Sequence, residues 1–136
     1  MQKTVEYTSN PETLTPEQLS GFFVGWPTAP DPETHLKILK NSYRVWLAIH
    51  NNRCIGFINA ISDGVFYAYI PLLEVLPAYK NQGIGAELVR HMMKSLKHMY
   101  AVDLVCDKDV VGFYEKQAFQ QGTAMLWRNY TRQHGR

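Results

Sequence analysis

The spacing of apolar side chains changes twice between residues 43 and 106, and this constrains the fold more than any other feature of the chain. Residues 43–50, 53–62 and 65–76 form strand-like runs, separated by Asn51-Asn52 and by Asp63-Gly64. Asn-Asn suits a turn, and Asp-Gly is a hairpin signal because glycine accepts the positive φ of a tight primed turn. Residues 83–100 then place Ile84, Leu88, Met92, Leu96 and Met99 on one helical stripe, with Glu87, Arg90, Lys94 and Lys97 off it. A short buried strand follows at residues 102–106. An antiparallel meander that runs through a helix into another strand implies a crossover, and hence parallel pairing of the strands flanking that helix. The class expected is α+β, with a mixed, mainly antiparallel sheet.

The flanking segments complete the outline. Residues 4–8 alternate enough for a first strand. Thr15, Pro16 and Gln18 read as the N-cap, first turn and capping box of a helix that fades near Gly25. A proline-rich loop leads to a second helix from Asp31 to about Asn41. Residues 110–118 suit another short helix and residues 123–130 a last strand, giving about four helices around the sheet. The 136 residues fit one domain over 1–136. The net charge of +2 comes from scattered Lys and Arg, without the concentrated basic face that nucleic-acid binding calls for. No apolar run reaches membrane-spanning length, and the first residues lack an apolar signal segment, so a cytoplasmic location is expected. Cys54 and Cys106 sit in apolar runs and are read as buried free thiols. His35, His50, His91, His98 and His134 lack metal-ligand spacing, so no metal is expected.

Lys80-Asn81-Gln82-Gly83-Ile84-Gly85 lies between the third meander strand and the amphipathic helix. The first turn of a helix exposes backbone N–H groups without internal partners, and its dipole adds positive potential there. Glycines let an anion approach, so the turn suits a phosphate; a glycine-rich turn holding nothing is the plain alternative. The nucleoside-triphosphate pattern G-x-x-x-x-G-K-[S/T] is absent, and the dinucleotide fingerprint fails because Leu88 occupies its third glycine position.

Residues 73–89, from Leu73-Glu74-Val75-Leu76-Pro77 through Lys80-Asn81-Gln82-Gly83-Ile84-Gly85-Ala86, resemble the acetyl-coenzyme A motif of the GNAT N-acetyltransferases: [Q/R]-x-x-G-x-[G/A] after a V-x-P strand end. Downstream, Phe113-Tyr114-Glu115-Lys116-Gln117-Ala118-Phe119 resembles the same family's F-Y-x-K-x-G-F segment. The element order matches as well, so a GNAT-like fold is expected over nearly the whole chain. Two departures stand out. Lys80 replaces the commoner Arg or Gln, and Ala118 replaces glycine, which is expected to be a matter of packing.

The resemblance implies acetyl transfer from acetyl-CoA to an amine by direct attack. Leu73 and Val75 would offer backbone groups to the pantetheine arm. Lys80, Asn81, Gln82, Gly83, Ile84, Gly85 and Ala86 would hold the pyrophosphate, with Phe113 and Lys116 also against the cofactor. A backbone N–H near Val75 could polarise the thioester carbonyl. Tyr114 is the position matching the family's general acid, though an aromatic packed on the sheet is the alternative. The base is open: Tyr69 matches the usual position but is a poor base, and Glu74 has the wrong strand parity unless a bulge turns it. Phe22, Phe23, Trp26 and Tyr67, with Tyr43, Trp46 and Trp127, are candidate walls of an acceptor pocket. A small-molecule amine is the expected acceptor, with a protein lysine or N-terminus, or a non-catalytic acyl-CoA-binding module, as alternatives. Edge strands near the C-terminus could pair two copies.

Overall fold

The computed structural model describes residues 4–136. Its sheet has five strands in chain order: β1 (Glu6–Thr8), β2 (Arg44–His50), β3 (Arg53–Ser62), β4 (Tyr67–Val75) and β5 (Ala101–Leu104). β1 to β4 pair antiparallel, and β4 and β5 pair parallel, as the crossover requires. Asn51 and Asn52, at φ 50° and 58°, make the β2–β3 turn, a left-handed conformation that asparagine tolerates. The β3–β4 connection is wider than the tight turn expected. Ser62 pairs with Ala68, and the Asp63 carboxylate closes the loop by accepting from the N–H groups of Val65, Phe66 and Tyr67. The Phe66 and Val65 bonds lead in holding the Asp63 carboxyl below its usual range.

Three α-helices lie among the described residues: α1 (Pro32–Lys40), α2 (Ile84–Ser95) and α3 (Val111–Glu115). α2 packs on one face of the sheet, burying Ile84, Leu88, Val89 and Met92 against Ile55, Ile58, Ala60, Ala68 and Ile70. The helix stops four residues before the end of its apolar stripe, yet Leu96 and Met99 stay buried under the sheet. α1 and the N-terminal turns cover the other face, where Leu14, Leu19, Phe23 and Leu39 meet Val45, Leu47, Cys54 and Phe57. α2 seats tightly because Gly56 lacks a side chain. A Cβ there would lie 3.2 Å from Leu88, 3.3 Å from Ile84 and 3.4 Å from Val75.

Two expected elements differ. The helix expected from Thr15 to Gly25 is a single 3-10 turn, Pro16–Leu19. Gln18 does accept from the Thr15 N–H at 2.9 Å, but Gly21, Phe23 and Gly25 all take positive φ and break any continuation. The last strand expected at residues 123–130 is absent, because the sheet ends at β5 and the segment lies exposed without a strand partner. Cys54 is buried as expected, whereas Cys106 is only half-buried.

Candidate active site

One irregularity of β4 sets the geometry. Asn59 pairs with Leu72 and Ile61 with Tyr69, so β4 spends one more residue than β3 across this step. The extra residue falls at Ile70-Pro71, where proline has no N–H for the ladder. The bulge reverses the strand's parity. Ala68 and Ile70 face α2 before it, and Leu73 and Val75 face α2 after it. Alternation then puts Tyr69, Leu72 and Glu74 together on the opposite face. Tyr69 and Glu74, which strict alternation would separate, therefore share a side of the sheet.

Parallel pairing of β4 with β5 ends at Ile70–Leu104, while β4 stays paired to β3 as far as Val75. Residues 71–75 thus present one unladdered edge toward the space beyond Leu104, and buried or half-buried backbone of this kind demands a partner. An extended amide-bearing chain can lie there as an additional strand. This edge leads directly to α2. Gly83 is the N-cap at φ 80°, no side chain caps the helix, and the first i→i−4 bond is Glu87 N–H to the Gly83 carbonyl. The N–H groups of Ile84, Gly85 and Ala86 therefore have no intrahelical acceptor. Asn81 also has positive φ, 64°, so Lys80 to Gly83 wraps around the helix start. Gly85 keeps the approach open: its hydrogen faces the Phe113 ring, 3.6 Å from where a Cβ would stand.

Phe113 and Tyr114 sit on α3, their rings packed edge to face at 4.9 Å. The helix ends in a Schellman motif: Phe119 N–H bonds to the Tyr114 carbonyl and Ala118 N–H to that of Glu115, both at 3.1 Å. Ala118 takes φ 71° at the turning residue. The departure from glycine there is thus a matter of backbone conformation, not of packing as the sequence suggested. The Phe119 ring returns against Tyr114 at 5.8 Å. Burial, with the Cys106 thiol nearby as a smaller influence, pushes the Tyr114 phenol up to about 12, so it keeps its proton at neutral pH.

On the α1 side of β4 a cleft of about 270 Å³ is lined by Phe23, Val24, Trp26, Phe57, Leu72, Leu73, Glu74 and Lys80. The Glu74 carboxylate ties this wall together, accepting from Phe23 N–H at 2.7 Å and Val24 N–H at 3.2 Å. Phe23 holds φ 62°, an uncommon conformation for a bulky side chain, and the Glu74 bond fastens it. Its ring meets Trp26 at 4.9 Å and the buried His35 at 4.9 Å. His35 is enclosed by Phe22, Phe23 and Phe57, and burial pushes it down to about 4, so it stays neutral. A larger, more polar depression of about 620 Å³, lined by Thr13, Gln18, Asn52 and Arg53 among others, includes no β4 residue and lies outside this arrangement.

Expected site residues fall out as follows. Leu73, Val75, residues 80–86 and Phe113 gather around the free β4 edge and the α2 N-terminus, while Lys116 lies exposed just past α3. Lys80 also borders the cleft on the α1 side of β4. Phe23 and Trp26 line that cleft; Phe22 instead packs behind it on Phe57 at 5.0 Å. Tyr67 does not belong to the cleft. It begins β4 opposite Ala101, five residues and about 17 Å of strand from Leu72. Burial, followed by a hydrogen bond with Asp103, raises its phenol. Trp46 stacks on His91 of α2 at 4.5 Å, Tyr43 lies 3.5 Å from His98, and Trp127 is in the exposed C-terminal segment. Sequence reasoning missed Phe57 and Leu72 as lining residues. Their signal was strand parity, which the bulge conceals.

No group of histidine, cysteine and carboxylate side chains suited to a metal occurs among the described residues, nor is any described helix long and apolar enough to cross a membrane. The profile of the acetyltransferase (GNAT) family matches residues 12–119. Among curated relatives, the soybean (Glycine max) protein named Histone acetyltransferase TAP1 is 32% identical over 111 residues, covering 71% of this chain and 47% of that protein. The Arabidopsis thaliana protein named GCN5-related N-acetyltransferase 2, chloroplastic, is 30% identical over 120 residues, covering 71% of this chain and 46% of its own. The chain thus spans about half the length of these relatives. Of solved structures, a Deinococcus radiodurans R1 chain described provisionally as an acetyltransferase superposes with a TM-score of 0.93 at 44% identity, covering 96% of this chain and 92% of that one. A GNAT-family acetyltransferase of Streptococcus pneumoniae TIGR4 gives 0.74 at 27% identity, covering 94% and 98%. With the bulged, splayed strand and the uncapped helix start already in view, these matches establish that the chain belongs to the GNAT family of acetyltransferases.

Proposed function

We propose that residues 1–136 act as one catalytic domain that transfers acetyl from acetyl-CoA to the amine of a small, apolar, ring-bearing molecule. The observation that carries this is the placement of two spaces on either side of residues 72–75. The free edge beside β5 runs to the α2 N-terminus, and the aromatic cleft lies across the strand.

The residues fit the family's cosubstrate. Leu73 and Val75 backbone groups take the pantetheine amides, and the N–H groups at Gly83 to Ala86 take the pyrophosphate, assisted by Lys80. Phe113 walls the first turn of α2, and Lys116, exposed just past α3, is assigned as a further cation for phosphate. The amine enters from the cleft and attacks the thioester carbonyl, forming the amide N–C bond as the C–S bond breaks. The ammonium proton, with an ordinary pKa of about 10, leaves first toward Glu74, through water and past Tyr69 on the same face. Tyr114 then donates its proton to the departing thiolate.

Phe23, Trp26 and Phe57 give the cleft faces that attract a cation and pack against a ring. A protein lysine is the second reading, favoured by the name of the soybean relative. Thiol release measured with acetyl-CoA across arylalkylamines, polyamines, aminoglycosides and lysine peptides separates the two. Arylalkylamines are expected to give a kcat/KM at least about tenfold above any lysine peptide, the worth of one well-filled apolar contact. Preference for the peptides would assign the acceptor to protein.

A further inference from the structure

Most of the large apolar side chains left exposed collect in two places besides the cleft rim. One is the C-terminal segment, where Met125, Leu126 and Trp127 are 93%, 57% and 81% exposed. The other surrounds the start of β4 and β5, where Val65, Phe66, Tyr67 and Tyr100 are exposed and the Phe66 and Tyr100 rings stack at 5.0 Å. A chain of this size seldom leaves such patches uncovered.

The backbone shows the same imbalance. β5 is the last strand of the sheet and has no partner on its outer side among the described residues. Residues 123–129 are non-helical, exposed and lack a ladder, although their composition is strand-like. Nor is this segment a loose tail. Before it, Phe119 packs into the α2 core. After it, Gln133 accepts from Thr28 N–H at 3.1 Å, and Arg136 lies 3.8 Å from Asp31. Gly135 presses on α1 so closely that a Cβ would come within 2.9 Å of Thr34. Anchored at both ends, the middle stands off its own sheet as an arm. One chain therefore carries an unpaired segment of strand-like composition and an unpaired strand edge that it does not bring together. A second copy supplies the complement of each, and a two-fold axis satisfies both at once.

We propose that two copies exchange these arms, each laying residues 123–129 along the outer edge of its partner's β5 and over the adjoining Phe66–Tyr100 patch. The exchange extends each sheet by one strand and covers the apolar residues of both patches.

Sedimentation of the full chain at micromolar concentration tests this, with twice the 15.7 kDa chain mass expected. Leu126→Asp with Trp127→Asp should weaken association by about a hundredfold, the worth of two large buried side chains. Its circular dichroism spectrum should keep the helical signal, since both side chains are exposed within one chain and only the exchanged strand is lost. For the arrangement itself, copies carrying only Asp103→Cys are mixed with size-tagged copies carrying only Leu126→Cys, both in a Cys106→Ser background, and treated with a short bismaleimide. Cys54 is buried and does not compete. A cross-linked band joining the two kinds of copy is expected. A monomeric chain, a dimer indifferent to the arm substitutions, or cross-linking only between two Leu126→Cys copies would each overturn the exchange.

Discussion

Tyr114 is held by two ring contacts, Phe113 on one side and Phe119 on another, and the Schellman turn returns Phe119 to it. Burial keeps its proton in place, which suits a donor to a thiolate and would disable a base. Replacement by phenylalanine retains the ring contacts, so Tyr114→Phe should lower kcat by about a hundredfold while acetyl-CoA affinity changes little. The pH profile carries a further check. An unperturbed phenol would lose its proton near pH 10, but one raised to about 12 stays competent beyond that, so kcat should not fall between pH 8 and 10 through this group. A descending limb centred below 9, present in the wild type and absent from Tyr114→Phe, would contradict the assignment. Glu74 illustrates the opposite case, because its carboxylate accepts two backbone N–H bonds and so shapes the cleft as well as lining it.

Among the elements, the short ones hold the tension. α3 turns at Ala118 with φ 71°, where an L side chain crowds its own carbonyl. Ala118→Gly should therefore stabilise the fold by about 1 kcal/mol, read as an increase in the denaturation midpoint with an unchanged m-value. A midpoint that falls would mean the Ala118 methyl makes contacts worth more than the strain. This position also shows where the sequence was legible. The Phe-Tyr-x-Lys-x-x-Phe pattern marked the helix, yet the missing glycine looked like packing because φ is invisible in a sequence. The meander, the crossover and the α2 stripe were legible because period-2 and period-3.6 patterns are local. The β4 bulge was not, because Leu72 and Glu74 look the same in sequence whichever face they occupy, and only the register with β3 decides. The helix expected after Thr15 failed for a related reason: its cap is correct, but tertiary contacts of Phe22, Phe23 and Glu74 override the propensity beyond Leu19.

Across the whole molecule, the sheet delivers two unsatisfied features to one place: a strand edge without a ladder and a helix N-terminus without a cap. Both are costs in the free chain that a bound diphosphate-bearing amide chain would remove, so folding and binding are linked through α2. With ligand at a hundred times Kd, linkage contributes about 2.7 kcal/mol. For a domain of this length that corresponds to a rise in melting temperature on the order of 10 °C. Gly85→Glu separates the two roles of the helix start. Gly85 has ordinary helical φ, and a Cβ there meets Phe113 at 3.6 Å, normal contact, so the free chain can accept a side chain. A carboxylate in the first turn also favours the helix dipole, and any residue but proline is a better helix former than glycine. The variant should melt at or above the wild-type temperature without ligand, and should lose the acetyl-CoA shift because its carboxylate occupies and repels the anion's position. Differential scanning fluorimetry with and without acetyl-CoA reads both quantities. A full shift retained in Gly85→Glu would show that the helix start does not hold the diphosphate, since the substituted chain would still be folded and its site otherwise intact.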